Sequence, residues 1–388
     1  FTWLSTPGAE TTFRFTLGDE AIELPSWTMP TRVTALGFGL IAIAAAVWGL
    51  MRARGRRSVK WQAAIVGFAL VTSFLVWTAE GETLPVTGLL QGSLLLAVPL
   101  IFGAMSGVLC ERSGVVNLNI EGQLLLGAFV AAVVASVTAN AYLGLASAAV
   151  GGLLLGLLLA VFATIYFVDQ IVVGVVLNVL AVGFTGFLYS RFLSEYPDTL
   201  NNPPRLEQID IPVLSEIPII GPILFQQNVI VYVMYVVVIL VQVALFRTRW
   251  GLRVRAVGEH PAAADSVGIK VNRTRFRTVL LGAAVAGLGG AYFTVGSVGA
   301  FGKEMTAGNG FIALAAMIFG RWTPLGSLGA ALLFGFAYNL QNVLSIIGTP
   351  IPSQFLLMAP YVVTILAVVG LVGKVRAPAA DGQPFTKS

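Results

Sequence analysis

Long apolar runs separated by short polar segments form the dominant pattern of this chain. A helix needs roughly 20 apolar residues to cross the hydrocarbon core of a bilayer. The run 308–320 is too short to cross unaided, so the pattern predicts an all-α, polytopic helix bundle of about 10–11 spans with broken or half helices. The candidate spans are residues 31–51, 61–79, 87–110, 121–138, 141–164, 170–190, 229–247, 277–297, 308–320, 325–346 and 354–373.

The composition supports a membrane protein and argues against a soluble one. Hydrophobic residues make up 57% of the 388 residues and charged residues only 11%, whereas soluble domains carry about 25% charged residues. The sequence pI near 9.5 does not require a nucleic-acid partner, because Lys and Arg of membrane proteins concentrate in cytoplasmic loops.

The distribution of charge predicts an orientation. If the loop 52–60 is cytoplasmic, alternation of the spans places 18 of the 23 Lys and Arg on that side and 12 of the 18 Asp and Glu on the other. This sorting predicts an external N-terminus, an external loop 191–228 and a cytoplasmic C-terminus. We therefore expect a multi-pass protein of a plasma membrane.

A polar insert interrupts the apolar pattern at residues 111–122 (ERSGVVNLNIEG). Polar groups are costly at membrane depth, and they usually mark a functional path there. Asn117, Asn119, Glu121 and Gln123 alternate with apolar residues, which favours an unwound segment over a helix. Two interpretations remain open at this point: these side chains line a path for a solute, or they cap helix ends and bond to the backbone.

A second interrupted segment, 305–320, opens with two glycines and is also undersized. A pair of glycine-broken segments in the two halves of a transporter points to its substrate path. Amides within spans bind solutes or join helices, and the spans hold so few ionisable groups that a neutral solute is the better expectation. The predicted path residues are Asn117, Glu121, Asn178, Asn309, Phe311 and Asn342.

A third segment, residues 251–270, lies on the basic side of the predicted topology. Pro261 suits the first position of a helix, three alanines follow it, and Gly268 suits its end. This pattern predicts a short capped helix between two spans. The helix either docks a cytoplasmic partner or is a solvated loop helix without one.

The sequence offers little for catalysis. His260 is the single histidine and has no Cys or His neighbour of the kind that metal sites use. The chain contains no GxxxxGK[ST] phosphate loop. We therefore expect no catalytic residue, no metal site, no cofactor and no enzymatic activity in this chain.

Three stretches carry a resemblance to a known family: residues 111–122 above, 251–269 (GLRVRAVGEHPAAADSVGI) and 305–322 (MTAGNGFIALAAMIFGRW). Over about residues 85–375 the chain resembles the permease subunits of bacterial ABC importers of the branched-chain amino acid and simple-sugar group, and most of all the nucleoside-importer permeases. The resemblance implies a fold akin to that of the vitamin B12 importer, and alternating access driven by ATP.

The same resemblance implies partners and a docking site. The partners are a second permease subunit, a cytoplasmic ABC ATPase that binds ATP and Mg²⁺, and an external substrate-binding protein or lipoprotein. The stretch 251–269 falls where the family has its coupling helix. The ATPase-coupling residues implied in this way are Gly258, Glu259, Pro261, Ala262, Ala263, Ala264, Asp265 and Gly268.

The expected organisation has three parts. Residues 1–84 form an acidic external segment with two extra spans, residues 85–375 form the permease core with a coupling loop at 248–276, and residues 376–388 form a cytoplasmic tail. The acidic start at Phe1 predicts a further span before it. The open alternatives are an ABC permease for simple sugars or branched-chain amino acids, and a stand-alone secondary transporter or channel that needs no ATPase.

Overall fold

The computed structural model describes residues 8–18, 24–55, 59–347, 349, 354–355, 358 and 376–386. The fold is an all-α bundle, as predicted, and eight helices of the described residues are long and apolar enough to cross a membrane. The helices are α1 Thr31–Arg54, α2 Lys60–Thr78, α3 Val86–Arg112, α4 Ile120–Thr138, α5 Ala141–Thr164, α6 Gln170–Leu188, α7 Pro197–Leu200, α8 Val229–Arg247, α9 Arg249–Glu259, α10 Pro261–Ser266, α11 Val271–Ala291, α12 Asn309–Phe319 and α13 Pro324–Ile346.

Short strands and π-helical turns complete the architecture. The strands are β1 Glu10–Arg14, β2 Trp27–Pro30, β3 Thr83–Pro85, β4 Gln208–Asp210 and β5 Gln226–Asn228, and single π-turns follow α6 and α11 at Tyr189–Leu193 and Thr294–Val298. The predicted spans agree with the helices to within a few residues. The exception is the span 354–373, which lies almost wholly outside the described residues.

The chain divides into two compact units, of which the first comprises residues 1–92, 211–225 and 337–362. Here β1 pairs antiparallel with β2 and parallel with β3, so that Phe13 lies opposite both Trp27 and Leu84. The sequence analysis did not anticipate this small sheet. Helices α1 and α2 pack together, and the Ser73 hydroxyl donates to the Ala35 carbonyl at 3.0 Å. Their outer faces remain apolar and exposed, which suits contact with lipid.

The second unit comprises residues 93–210, 226–336 and 363–388. Its core forms where α4, α5 and α11 approach closely through small residues. A Cβ at Gly152 of α5 would lie 2.8 Å from the Cα of Gly287 on α11, and a Cβ at Gly290 would lie 2.7 Å from the Ala128 nitrogen of α4. The small residues at four-residue spacing in α5 and α11 therefore let the helix backbones pack together.

Contacts within this unit gather segments at its two ends. At one end, the Arg112 side chain donates to the Trp322 carbonyl at 2.8 Å, and Ala380 donates its amide to the Gly258 carbonyl at 2.9 Å. At the other end, Asn201 bonds to Phe301 and Asn228 bonds to Gly296. Segments that alternation assigns to one side of the membrane thus contact one another.

Candidate functional site

The helical run breaks between α3 and α4. Helix α3 ends at Arg112, Gly114 has a φ of +87°, and α4 begins at Ile120. A side chain at Gly114 would also collide with the guanidinium of Arg275, 2.6 Å from the Cβ position. The prediction of an unwound segment over residues 117–123 is confirmed for 117–119 and wrong for 120–123. The backbone N–H of Gln123 already donates to the backbone carbonyl of Asn119 at 3.0 Å, because the helix starts before Glu121.

Asn117 lies inside this break and is fully buried. Its Nδ2 donates to Gln123 Oε1 at 3.0 Å and to Ser106 Oγ at 3.1 Å, while Gln123 Nε2 donates back to Asn117 Oδ1 at 3.3 Å. The backbone N–H of Asn119 donates to the same Oδ1 at 3.2 Å. Asn117 therefore locks the break to α3 and α4 through bonds within the protein.

Two amide side chains of α6 form hydrogen bonds with backbone groups of the break and of the first turn of α4. Asn178 accepts the Gly122 N–H and donates to the Leu118 carbonyl, both at 2.8 Å. Gln170 accepts the Val116 N–H at 2.8 Å. Non-helical backbone at membrane depth requires such internal partners, since no water is available to replace them. The sequence analysis missed Gln170, although a polar residue at the start of an apolar span was a usable signal.

Glu121 closes the N-terminus of the half helix α12. One carboxylate oxygen accepts the Thr306 hydroxyl at 2.6 Å and the Gly308 N–H at 2.8 Å, and the other accepts the Gly310 N–H at 2.6 Å. The first N–H groups of a helix lack intrahelical partners, and a carboxylate is favoured there by the helix dipole. Glu121, which is 8% exposed, thus ties the start of α4 to the start of α12.

A cavity of about 360 Å³ opens beside this junction. It brings together three of the predicted path residues, and its size lies within the range of small-ligand sites. Phe311 is 48% exposed, and the Glu304 carboxylate is exposed as well. The lining residues are Glu121, Leu125, Asn178, Val179, Val182, Glu304, Thr306, Ala307, Gly308 and Phe311.

The loop that enters the cavity is held in an uncommon backbone conformation. Glu304, Ala307 and Gly308 have φ values of 53°, 45° and 83°. Non-glycine residues adopt this region at an energetic cost, and such residues cluster at ligand sites. The bonds from Thr306 and Gly308 to Glu121 hold the loop in place. The cavity is therefore a preformed hollow with apolar walls, one exposed aromatic ring and one exposed carboxylate.

The remaining path residues lie elsewhere. Asn309 is half-buried and donates from Nδ2 to the Thr306 carbonyl at 2.8 Å, so it stabilises the same loop without lining the cavity. Asn342 is exposed on the part of α13 that belongs to the first unit. The structure therefore brings Glu121, Asn178 and Phe311 together and places Asn117 and Asn309 beside them, while Asn342 belongs to the other unit.

The coupling segment consists of two helices. Thr248 caps α9 by accepting the Gly251 N–H at 3.1 Å, and α10 begins at Pro261 as predicted. Gly268 follows α10 with a φ of +85°, a conformation that suits glycine. Helix α9 was not anticipated, although the spacing of Gly251, Val254 and Val257 on one buried face was a usable signal.

The coupling residues divide into a buried and an exposed set. Gly258 and Ala264 are buried, Pro261 and Asp265 are half-buried, and the exposed set is Glu259, Ala262, Ala263 and Gly268. Gly258 lies so close to the Arg112 backbone that a Cβ there would be 2.9 Å from the Arg112 carbonyl carbon. The coupling segment thus packs directly against the end of α3, where the break begins.

The C-terminal tail, residues 376–386, joins the same region. The buried Arg275 donates to the Ser113 carbonyl at 3.1 Å and to the Gln383 carbonyl at 2.6 Å. Burial raises the pKa of Asp381 to about 6, although the neighbouring Glu111 and Arg275 oppose that rise. Glu259 accepts the Ala379 N–H at 3.2 Å. Break, coupling segment and tail are therefore one connected structure.

Comparison with known proteins decides the family. Residues 89–371 match the family described as the branched-chain amino acid transport system / permease component. The chain belongs to this permease family. The matched region contains the break, the cavity and the coupling segment.

Several relatives are similar along most of the permease. It is 39% identical to the guanosine ABC transporter permease protein NupQ of Bacillus subtilis, over 77% of this chain and 96% of that protein. It is 41% identical to the nucleoside ABC transporter permease protein NupC of Lactococcus lactis, over 76% and 95%. It is 32% identical to the putative glucose ABC transporter permease protein TsgC13 of Haloferax volcanii, over 66% and 77%. No solved structure matches the chain.

Membership defines the general role of the permease. It is a multi-pass protein of the cell membrane and the translocation component of an ABC transporter rather than an enzyme. Such a component needs a route for solute through its helices and a surface that receives force from an ATPase. The cavity beside Glu121 is the candidate for the first, and the α9–α10 segment is the candidate for the second.

Proposed function

We propose that this permease imports a nucleoside, with the Glu121–Phe311 cavity as a station on the substrate path. The observation that carries the proposal is the similarity to relatives named for guanosine and for nucleosides, at 39% and 41% identity over nearly their whole lengths. The cavity geometry supports a solute of this kind in two further respects.

The first respect is charge. Half-helix N-termini in transporters commonly bind anionic groups of a substrate, such as the carboxylate of an amino acid. In this permease the N-terminus of α12 is already occupied by the Glu121 carboxylate, which bonds the N–H groups of Gly308 and Gly310. A second carboxylate at this position would be repelled. The arrangement therefore favours a neutral solute over a free amino acid.

The second respect is shape. Phe311 presents a half-exposed ring to a cavity whose other walls include Leu125, Val179 and Val182. A planar base can stack on such a ring, whereas a sugar has no aromatic face to offer. The exposed Glu304 carboxylate can accept hydrogen bonds from hydroxyl or amino groups of the solute. These features suit a nucleoside.

A simple sugar is the second candidate, because one relative is named as a putative glucose permease protein. Sugars also carry hydroxyls that a carboxylate and backbone groups can bind. The two candidates differ in what Phe311 contributes, since a base stacks its π face on the ring, whereas glucose offers the ring only C–H groups.

The proposed assembly has four kinds of subunit. The ABC family implies an ATPase, which binds ATP and Mg²⁺, and an external substrate-binding protein or lipoprotein. Bacillus subtilis and Lactococcus lactis each have a second, less similar permease protein, NupP and NupB, at 26% and 24% identity. These pairs support a heterodimer of this chain with a second permease. The exposed residues of α10 dock the ATPase in this proposal.

We also propose the orientation that the charge sorting predicts. The loop 52–60 faces the cytoplasm, the loop 191–228 faces outward, and the tail is cytoplasmic. Cys110 is fully buried, so single cysteines introduced at residues 55 and 213 can be labelled in a Cys110→Ala background. An impermeant reagent applied to intact cells should label residue 213 and spare residue 55. Labelling of residue 55 and not of residue 213 would show that the permease has the opposite orientation.

Uptake by the reconstituted importer tests the function. The permease is purified with its co-expressed subunits, placed in vesicles with ATP inside or outside, and offered labelled guanosine, glucose and leucine. We expect ATP-dependent uptake of guanosine and copurification of an ATPase chain. Uptake of glucose alone would favour the second candidate, and uptake without ATP or ATPase would favour a stand-alone carrier.

A further inference from the structure

A basic cup lies at the end of the second unit that carries α9, α10 and α11. Its volume is about 350 Å³, and four of its lining residues, Arg253, Lys270, Arg273 and Arg277, are cationic and exposed. Within the described part of the chain, no acidic residue lines the cup, and the nearest acid in sequence is the half-buried Asp265. The other lining residues are Trp250, Val267, Gly268, Ile269 and Thr274.

The start of α11 makes this cup more positive. Lys270 is the N-cap of α11, and a lysine cannot accept the amides of the first turn as Asp or Ser would. Arg273 and Arg277 follow on the same face of the helix, at spacings of three and seven residues. Cations at the positive end of a helix dipole are unfavourable, and a bound anion would relieve both the dipole and the mutual repulsion.

An apolar groove adjoins the cup. It measures about 330 Å³ and runs between α8 and α11, with Leu109 of α3 at its base. Trp250 lines both the cup and the groove, and tryptophan is enriched where headgroups meet hydrocarbon. The remaining groove residues all have apolar side chains: Val237, Leu240, Val241, Ala244, Leu281 and Val285.

We propose that cup and groove form one binding site for an anionic phospholipid. The phosphate group lies among the four cations, and an acyl chain lies in the groove between α8 and α11. A free phosphate would leave the groove unused, and a neutral lipid would leave the cationic cluster uncompensated. Anionic lipids of the cytoplasmic leaflet are attracted by basic clusters next to membrane helices.

The location gives the lipid a regulatory position. The site is formed by α8 and α11, the two spans that α9 and α10 connect. A lipid bound there would contact the spans on both sides of the proposed coupling segment and stabilise their relative position. The lipid requirement is independent of which solute is transported, so the proposal does not depend on the nucleoside assignment.

Native mass spectrometry of the full chain in neutral detergent tests the proposal. Phosphatidylglycerol is titrated against phosphatidylcholine of the same chain length, and glycerol phosphate provides the headgroup without acyl chains. We expect retention of phosphatidylglycerol in preference to both. The double variant Arg273→Gln, Arg277→Gln should lose roughly 30-fold in that preference, since each cation near an anionic lipid contributes about fivefold.

Matched controls separate the site from general charge and folding. The double variant Arg247→Gln, Arg249→Gln removes two exposed cations nearby that do not line the cup. It should keep the preference within about twofold, while Leu281→Trp, which fills the groove, should weaken it. Val243→Trp, on α8 outside the groove, should not. Gel filtration and thermal unfolding check that each variant is folded.

Four results would overturn the proposal. Equal binding of phosphatidylglycerol and phosphatidylcholine would show that the cations do not select the lipid. Binding of glycerol phosphate as strong as that of phosphatidylglycerol would show that the groove does not bind an acyl chain. Unchanged preference in the folded Arg273, Arg277 double variant would place the lipid elsewhere. Displacement of phosphatidylglycerol by a copurified ATPase would show that this surface is a protein interface instead.

Discussion

The Glu121 carboxylate accepts the backbone N–H of Gly310 at 2.6 Å. This bond joins the first turn of α4 to the first turn of α12. It matters because α12 has 11 residues and spans only about 16 Å at 1.5 Å per residue, so its N-terminus ends inside the membrane-spanning bundle. Gly310 also has no room for a side chain, since a Cβ there would lie 2.8 Å from the Glu121 carboxylate. The candidate substrate cavity lies beside this junction.

Replacing Glu121 with glutamine should destabilise the junction. Glutamine keeps one acceptor oxygen and turns an N–H₂ group toward the donors of α12. An unsatisfied buried donor costs about 1–3 kcal/mol. Thermal unfolding of the purified permease should show this loss, whereas Glu304→Gln, at an exposed carboxylate of the same cavity, should leave stability nearly unchanged. Equal stability of both variants would mean that Glu121 does not support α12.

Phe311 should matter for uptake more than for folding. Its ring is 48% exposed, so Phe311→Ala removes little packing, but it removes a surface on which a base can stack. Stacking on an aromatic side chain is worth about 1–3 kcal/mol per base, which corresponds to a 5- to 150-fold rise in KM for a nucleoside. Phe311→Tyr should restore most of the uptake.

Ile318→Ala provides the control for this variant, because Ile318 is 40% exposed on the same helix and does not line the cavity. It should transport at the parental rate. Parental uptake by a properly assembled Phe311→Ala permease would show that the base is bound elsewhere.

The sequence predicted those features that depend on local pattern. The spans follow from uninterrupted apolar length, and the break at Gly114 follows from polar residues within such a run. The start of α10 at Pro261 follows from helix-end chemistry.

The sequence could not predict features that depend on distant pairing. Nothing local indicates that Asn178 bonds across 56 residues to the Gly122 amide, or that Glu121 bonds across 189 residues to Gly310. Asn342 shares the amide chemistry of Asn178, yet it lies in the other unit. The β1–β3 pairing was likewise invisible, because strands of three to five residues give too short a pattern to read. The roles assigned to the path and coupling residues stay predictions.

Changes on the exposed surface of α10 and of the adjoining end of α9 should uncouple the transporter without unfolding it. Ala263 is exposed, so Ala263→Trp can be accommodated by the permease itself but would obstruct a docked ATPase. Glu259→Arg reverses a charge on the same side and removes the bond to the Ala379 amide. Both variants should lose most substrate-stimulated ATP hydrolysis in vesicles. They should also fail to retain the ATPase in a pull-down assay.

Val213→Trp is the matched control for added bulk. Val213 is 76% exposed and lies in the loop 191–228, which the proposed topology places on the other side of the membrane. It should keep parental association and stimulation. If the α10 variants behave like this control, the ATPase docks on another surface.

Docking of the C-terminal tail should depend on pH through Asp381. Burial raises the pKa of Asp381 from its ordinary value of 3.8 to about 6. The charged or titratable groups that face it are Glu111, Arg275 and Cys110, and Glu259 bonds the neighbouring Ala379. A raised pKa means that the docked tail prefers the protonated carboxyl. The stability that the protonated Asp381 contributes to the docked tail is therefore complete below about pH 3.8 and is lost as the pH rises through 6.

Hydrogen exchange of the tail amides measures this effect. The Ala380 N–H, which bonds to the Gly258 carbonyl, should be better protected at pH 5 than at pH 7.5 once intrinsic exchange rates are corrected. A difference of about two in pKa limits the change in the docking equilibrium to roughly 100-fold. Asp381→Asn should raise protection at pH 7.5 and flatten most of the pH dependence, while Asp198→Asn, an exposed site on α7, should do neither. Protection that falls on acidification would show that Asp381 docks as a carboxylate paired with Arg275, and that the pairing outweighs the cost of its burial.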